Sequence, residues 1–572
     1  MVVLQEYLST ISSSLDFIPA AVFVDTYLDT FYQYLSRYSV SDSDILLDKT
    51  MPFNPELFKS ALHDDLDKLK KKRDIHPELY GVTETGENEN TKSLLDALYE
   101  EGIIPTYSFP KNVVSTYIED QSGKLKYQVE RGLDVAIGEY APGRAIVVDK
   151  QTYQIGGLYY PGSERRSGAM LSPAKAFVED PNYIKDVLTC PDCGWFGLAE
   201  EKTDKCPFCG NIELTMTRQM LRPWGFAPKD AEAIPDAQLS EEYSAVQQPL
   251  YSTLPEADEM VAIPNCQHIR IASRTNQRII MLNKGSEDHG FMVCKDCGAA
   301  MPGNDPHVLD NILRPFKTRY ARGKCRHSNV VNVNLGYDFV TDMLVLEFAL
   351  DDSRIDARRK DNPWLSRAAQ SLAEALRLTA SQELDIEFTE LVTGYRLRNN
   401  AAGSFIDIYL YDSLSSGAGY AVSVAAEISV LMQRIRELLA GCDCSSACHK
   451  CLKHYRNQFV HGMLDRFAAL QLLDWGMNGI IAPDVPVPLQ QGYISTLEGI
   501  LNESGCKLSY SSNGITIFTS KNSKHLIVYP AMWVEPHRPG TVFVSDAYLK
   551  YAKPYAVQKI IAEAGAAVST LM

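Results

Sequence analysis

The chain has 572 residues, 45% of them hydrophobic and 22% charged, with 56 Lys and Arg against 72 Asp and Glu for a formal net charge of −16. That length implies several domains at about 100–200 residues each, and the acidic balance excludes a surface that coats nucleic acid throughout, because phosphate binding needs cations to displace counterions. No run approaches the about 18 apolar residues that span a bilayer, and the opening MVVLQEYLSTISSSLDFIPAAVFV carries Glu6 and Asp16 without the cationic stretch of a secretory signal, so a cytoplasmic protein with no membrane association is expected.

Residues 1–112 read as mainly helical. Tyr27, Leu28, Phe31, Tyr34 and Leu35 share one face at helical spacing, and residues 57–74 are amphipathic and end in the cationic run KKKR at 70–73. That run either touches phosphate or offsets the negative end of the helix dipole. Residues 113–180 switch to short β-branched and aromatic runs such as STYIED, KLKYQVE and AIVVDK, separated by turn residues, the pattern of a β-rich module.

Cys190, Cys193, Cys206 and Cys209 follow as CPDCG and CPFCG, with twelve residues between the inner thiols. Each CxxC makes a tight knuckle whose next residue, Gly194 or Gly210, is free to turn left-handed, and two facing knuckles make a zinc ribbon, here residues 181–218. Trp195 and Phe196 beside the first knuckle are candidates for stacking on a base, although covering the ribbon's small core is the simpler job.

Residues 219–262 are acidic, lack apolar periodicity and read as a linker. A third group, Cys266, Cys294, Cys297 and Cys325, spreads two gaps of 27 residues around a central CKDCG and defines a second cysteine–zinc module at 263–330. An all-cysteine site is one reading. His268 or His327, each two positions after an outer cysteine, is the alternative fourth ligand. Around the outer cysteine, Arg314, Lys317, Arg319, Arg322, Lys324 and Arg326 put six cations within thirteen residues, interleaved with Phe316 and Tyr320. They are the candidate nucleic-acid contacts, with a solvated loop as the alternative. Arg354, Arg358, Arg359 and Lys360 form a second, smaller cationic group.

Residues 331–482 begin with strand-like VVNVNL and MLVLEFAL, then give a helix over 364–384 with Leu365, Leu372, Ala375, Leu376 and Leu378 on its apolar face. DIEFTELVTGYRL and SFIDIYLYD follow as strands, bearing Asp385, Glu387, Glu390, Asp407 and Asp412. A catalytic carboxylate pair is conceivable among these, but strand alternation should send several to solvent. Gly417 and Gly419 open the next helix, and either cradle phosphate or make a tight strand-to-helix turn. That helix ends near Ala440 and delivers Cys442, Cys444, Cys448 and Cys451 as CxC, three residues, CxxC. Four thiolates close a tetrahedral zinc shell at about 2.3 Å per bond and leave no open position for water. Lys450, Lys453 and Arg456 are placed to offset the excess negative charge.

Residues 483–572, entered through Pro-rich APDVPVPL, alternate strands with a terminal helix from Pro554 and read as a small α/β cap. The expected fold class is multidomain α+β: a zinc ribbon and a further cysteine–zinc module inserted between a helical and β-rich N-terminal part and an α/β zinc-binding domain with its C-terminal cap. Thirteen cysteines in a reducing compartment make sense as metal ligands, and only Cys506 stands outside the groups.

Three blocks, LGYDFVTDMLVLEF at 335–348, SLAEALRLTASQELDIEFTEL at 371–391 and DSLSSGAGYA at 412–421, with the cysteine cluster after them, resemble the MrfA-type zinc-binding (MZB) domain. That domain is found at the C-terminal end of a class of bacterial DNA helicases and in a subunit of the DISARM phage-defence system. Weaker likeness extends to GIIPTYSFP and PGRAIVVDKQTYQIGGL upstream, and Ser415-Ser416 stand where the family usually shows glycine. Helicases of this class work on ATP with a phosphate loop. No G-x-x-x-x-G-K-[ST] occurs here, since Gly123-Lys124 and Gly323-Lys324 lack both the hydroxyl and the upstream glycine. The resemblance without a motor implies a DrmB-like, non-catalytic zinc subunit that docks on a separate superfamily 2 DNA helicase, meets DNA through that complex and serves antiviral defence. Two alternatives stand beside it: a zinc-dependent nucleic-acid-processing enzyme drawing on His449, His454 or His461, and a purely structural scaffold.

Overall fold

The computed structural model describes residues 2–13, 18, 20–37, 59–60, 62–64, 66–67, 69–71, 94, 97–98, 113–119, 125–159, 178–229, 232–235, 250–251, 253–255, 259–312, 325–359, 362–414 and 417–565. It is a mixed α/β chain. Near the N-terminus, Val2–Thr10 and Leu28–Arg37 are helices, the second entered through the π-helical turn Phe23–Tyr27. Leu28, Phe31 and Leu35 are buried with Leu4, Leu8, Leu66 and Leu98, as their helical spacing requires. Lys70 and Lys71 are exposed, while Lys72 and Arg73 lie outside the described residues.

Segments that composition separates share sheets. The β-rich module is a five-stranded sheet in the order Leu125–Gly132, Val113–Glu119, Gly225–Pro228, Gln151–Leu158, Ala145–Val148. Its middle strand comes from the stretch expected to be an acidic linker. Gly225 pairs in parallel with Ser115, and all four residues of Gly225–Pro228 are buried. Four-residue strands carry too little pattern to outweigh the acidic flanks, which is why composition hides this one.

The dominant element is the strand Val330–Leu350, 21 residues long. Near its start, Val330 faces Cys294 of the strand Phe291–Cys294. Along most of its length it pairs with Ile269–Asn283, from Leu335 opposite Asn283 to Phe348 opposite Ile269. Its far half also takes Gly403–Asp412 on the other side, from Met343 opposite Tyr411 to Leu350 opposite Ser404. The residues assigned by sequence to a second cysteine module and to the zinc-binding domain therefore belong to one ten-stranded sheet.

One face of this sheet carries three helices. Pro363–Glu383 starts where the Asn362 side chain accepts from the amide of Trp364 at 3.0 Å, the usual way to satisfy a first-turn donor. Leu365, Leu372, Ala375 and Leu376 point into the core shared with Ile428–Ala440 and Arg466–Asn478. Leu378 is only half-buried. The C-terminal cap is a four-stranded sheet, Lys507–Ser511, Gly514–Phe518, Ser523–Tyr529 and Thr541–Ser545, backed by Asp546–Tyr551 and Lys553–Ala564. It is tied to the zinc-binding domain by the Ile355–Trp533 bridge and by Asn362, whose amide donates to the carbonyl of Ala531 at 2.8 Å. Among the described residues, no helix is long and apolar enough to cross a membrane.

Candidate metal centres

Three groups of ligand atoms converge, each within 4.8 Å: Cys190, Cys193, Cys206, Cys209; Cys294, Cys297, Cys325, His327; and Cys442, Cys444, Cys448, Cys451. Thiolates bound at about 2.3 Å to one tetrahedral ion stand about 3.8 Å apart. The structure has Cys190–Cys209 at 3.4 Å, Cys193–Cys206 at 3.5 Å, Cys442–Cys448 at 3.5 Å, Cys444–Cys451 at 3.7 Å and Cys294–Cys325 at 3.9 Å. The spacing fits zinc at every site. Each set offers four soft or borderline ligand atoms, enough to complete a tetrahedral shell around one ion.

Three of the CxxC knuckles repeat one backbone design. Gly194, Gly210 and Gly298 all have φ between 70° and 79°, and their amides donate to the carbonyls of Cys190, Cys206 and Cys294 at 3.0, 2.9 and 2.8 Å. The amides of those same cysteines donate forward to Trp195, Asn211 and Ala299. A side chain at the glycine position would be strained. In the ribbon, the fully buried Trp195 ring lies against Gly197, and Phe196 is 2% exposed. Both rings cover the core and neither is available to a base.

The fourth ligand atom that converges with Cys294, Cys297 and Cys325 belongs to His327. Its Nδ1 lies 3.6 Å from Cys297 Sγ, and sulfur and imidazole nitrogen at about 2.3 and 2.0–2.1 Å from one ion stand about 3.6 Å apart. Its other nitrogen, Nε2, is 2.8 Å from the carbonyl of Ile312, so a proton there fixes the tautomer that leaves Nδ1 free for metal. Cys266 and His268 are elsewhere. The strand register puts them beside Phe348, whereas Cys294 faces Val330, and 18 extended residues span about 60 Å. Cys266 packs at the margin of the helical core, and His268 stacks on Trp475 at 4.3 Å. Two equal gaps around CKDCG cannot reveal that the first gap runs in one direction along almost the whole of Val330–Leu350, from Phe348 to Val330.

Two clusters are joined to the large sheet, and the third to the helices packed on it. Cys294 ends one of its strands. The ribbon docks through Arg396 of the strand Leu391–Asn400, whose Nη2 donates to the Cys193 carbonyl at 2.9 Å and lies 3.5 Å from its sulfur. The Cys206 thiol, and more weakly the Trp195 amide and the Arg396 guanidinium, pull the Cys193 thiol down against the opposing effect of burial. Phe208, Tyr251 and Tyr409 continue the contact with ring centroids 5.3 and 5.0 Å apart. At the third cluster, buried Arg466 donates to the carbonyls of Cys444 and Leu439 at 2.9 and 2.8 Å. Arg396 and Arg466 carry no local sequence signal, because their partners lie 203 and 22 residues away.

The remaining candidates sort by burial and partner. Of the basic group, Arg326 is exposed, and Arg314, Lys317, Arg319, Arg322 and Lys324 lie outside the described residues. The second cationic group is engaged internally: Arg354 lies over Trp475, Arg358 pairs with Asp352, and Arg359 pairs with Asp356 and Glu535, while Lys360 is outside the described residues. Asp385 and Glu387 are exposed, but Asp407 and Asp412 are 1% and 0% exposed, against the expectation from alternation. Asp407 is held by Arg398 at 2.8 Å. Asp412 accepts from the amides of Ala418, Tyr420 and Ala421 at 2.5, 3.1 and 2.8 Å. Asp342 takes the Gly419 amide at 3.1 Å. The glycine turn is therefore filled by the chain's own carboxylates rather than by phosphate. His449, His454 and His461 join no metal cluster among the described residues.

Residues 368–452 match the family model of the MrfA Zn-binding domain, MZB. The match runs from the long helix through the paired strands and glycine turn to the last ligand of the third cluster. The chain is also similar to Druantia protein DruE of Escherichia coli (strain UMEA 4076-1), at 28% identity over 488 residues, covering 79% of this chain and 26% of that protein. It thus spans about a quarter of the length of this curated relative. Among solved structures, the DUF1998 helicase MrfA bound to DNA aligns over 74% of this chain and 43% of that one, at 13% identity and a TM-score of 0.33. A further crystal structure of the DUF1998 helicase MrfA aligns over 70% of this chain and 43% of that one, at 12% identity and a TM-score of 0.26.

Proposed function

We propose that this chain is a zinc-organised, non-catalytic accessory to a DNA helicase motor carried by a separate polypeptide, and that it helps the motor hold DNA in bacterial antiviral defence. The observation that carries the reading is the MZB match over residues 368–452, built around a closed four-thiolate cluster, in a sequence without a phosphate loop. Closed sites stabilise shape and activate no water. Tying two clusters to one sheet and the third to the helices packed on it makes a rigid attachment, which is what a motor needs from a part that must keep its geometry under load. Similarity to a Druantia protein favours a Druantia-like setting over the DISARM DrmB type implied by the sequence blocks alone.

The test is ATP hydrolysis. The purified, zinc-loaded chain is expected to hydrolyse no ATP with or without DNA, and to raise the DNA-stimulated ATPase of a phosphate-loop helicase encoded beside it, with which it co-purifies. Robust hydrolysis by the chain alone would sink the reading.

A further inference from the structure

We propose that the surface of the Cys442–Cys451 cluster binds single-stranded nucleic acid, with Tyr455 stacking on a base and Lys450, Lys453 and Arg456 holding the flanking phosphates. This rests on the reading of the chain as a nucleic-acid accessory and supplies its contact surface.

Tyr455 is 73% exposed, the most exposed aromatic side chain among the described residues. It is not on a loose loop. The segment Tyr455–Met463 opens with a reciprocal cap: the Arg456 amide donates to His454 Nδ1 at 3.1 Å, and the His454 amide donates to Asn457 Oδ1 at 2.7 Å. Asn457 is fully buried, and its amide group donates to Glu374 at 2.9 Å and to the Leu452 carbonyl, next to ligand Cys451, at 3.0 Å. Beneath it, the His454 ring stacks on Phe388 at 4.1 Å. The metal knuckle and the long MZB helix thus hold an apolar ring out into water, where nothing in the fold gains from it. A base face fits such a ring without regard to sequence.

The cations around it are likewise uncommitted. A four-thiolate zinc site carries excess negative charge, and these side chains are the natural candidates to balance it. The sulfurs instead accept from backbone amides, Cys448 to Cys451 Sγ at 3.3 Å and Lys450 to Cys448 Sγ at 3.4 Å. Among the described residues, the side chains of Lys450, Lys453 and Arg456 form no ion pair and donate to no sulfur. Elsewhere the chain binds its arginines internally, as at Arg278, Arg359 and Arg398. Between Cys442 and Arg456 the only carboxylate is Asp443. In a chain of net charge −16, a local run of unpaired cations flanking an exposed ring is the combination that single-strand binders use.

The experiment measures fluorescence anisotropy of labelled oligothymidylate and oligouridylate on the full, zinc-loaded chain across a salt series. Y455A is expected to weaken binding about tenfold while Y455F retains it. K450E/K453E/R456E should weaken it further and lower the slope of log affinity against log salt by about two, the share of three phosphate contacts on a single strand. Preference for one oligomer identifies DNA or RNA as the source, and either supports the surface. Zinc content and melting temperature check that each variant is folded, with K450E alone as the milder substitute where the triple variant loses metal. Unchanged affinity in zinc-loaded Y455A and K450E, or no binding of either oligomer by the wild type, overturns this inference. The accessory reading stands or falls separately, on ATPase stimulation.

Discussion

Arg396 and Cys193 meet across 203 residues: one guanidinium nitrogen donates to the cysteine's carbonyl at 2.9 Å and lies 3.5 Å from its sulfur. The same guanidinium sits 4.7 Å from the ring centre of Phe208, inside the second ribbon knuckle. One side chain of the MZB sheet therefore grips both halves of the ribbon. Replacing it with methionine keeps the length and removes the donors and the charge. A charge-assisted hydrogen bond contributes about 1.5–3 kcal/mol, so R396M should release one of three zinc ions to a chromogenic chelator markedly faster, leaving the other two unchanged. Equal rates for all three ions would show that the ribbon does not depend on this contact.

His327 and Cys266 make opposite predictions. H327A removes a ligand from the second site and should lower the zinc content from three ions per chain to two, with loss of the mixed sulfur–nitrogen cobalt spectrum. C266A, whose thiol packs against the helical core, should keep all three. H327C should restore metal and shift the cobalt spectrum to that of an all-thiolate site. Loss of metal in C266A would restore the all-cysteine assignment.

Much of the site was legible because zinc ligation is written locally. CPDCG and CPFCG specify their own knuckles, and the glycines turn left-handed as the motif demands. Local patterning likewise placed the buried Leu365, Leu372 and Leu376. Long-range contacts were not legible. Nothing near Cys266 announces that its strand pairs with Phe348 while Cys294 sits at Val330. Nor does an acidic stretch advertise Gly225–Pro228, which is a strand only because Val113–Glu119 and Gln151–Leu158 leave a gap between them. Alternation failed at Asp407 and Asp412 because a cation and a set of helix-start amides were waiting on the buried side.

Asp342 makes stability depend on pH. Burial first, then the charge of neighbouring Asp412, pushes its carboxyl from 3.8 to about 6, against the opposing Gly419 amide. The folded chain therefore binds this proton more tightly than the unfolded chain, and the contribution favours folding below about 4 and is lost as pH rises through about 6. D342N retains an oxygen to accept from Gly419 and has no charge to lose. The variant should melt at a higher temperature than the wild type at pH 7.5, with the advantage shrinking as pH falls to 5.5. A pH-independent difference would assign the effect to packing instead.

Arg398, on the edge strand Leu391–Asn400, is 8% exposed and reaches between Glu347 at 2.6 Å and Asp407 at 2.8 Å, which are 7% and 1% exposed. Glu347 and Asp407 face each other across the strands, so two buried carboxylates share one buried cation, with Arg270 reaching Glu347 from the other side at 2.9 Å. Burial drives the Asp407 carboxyl up and Arg398 pulls it back. Removing the cation leaves like charges facing each other in a poorly solvated place, where breaking one partner of a buried pair costs about 3–5 kcal/mol. R398M should therefore lower the melting temperature at pH 8 more than at pH 6, because Asp407, left without its arginine, takes up a proton as pH falls and that proton relieves the repulsion. R398M/E347Q/D407N removes the charges together and should recover most of the loss at pH 8. Scanning fluorimetry of the zinc-loaded variants decides it: if the triple variant is no more stable than R398M, the arginine acts through packing on Phe405, 4.3 Å away, rather than through charge.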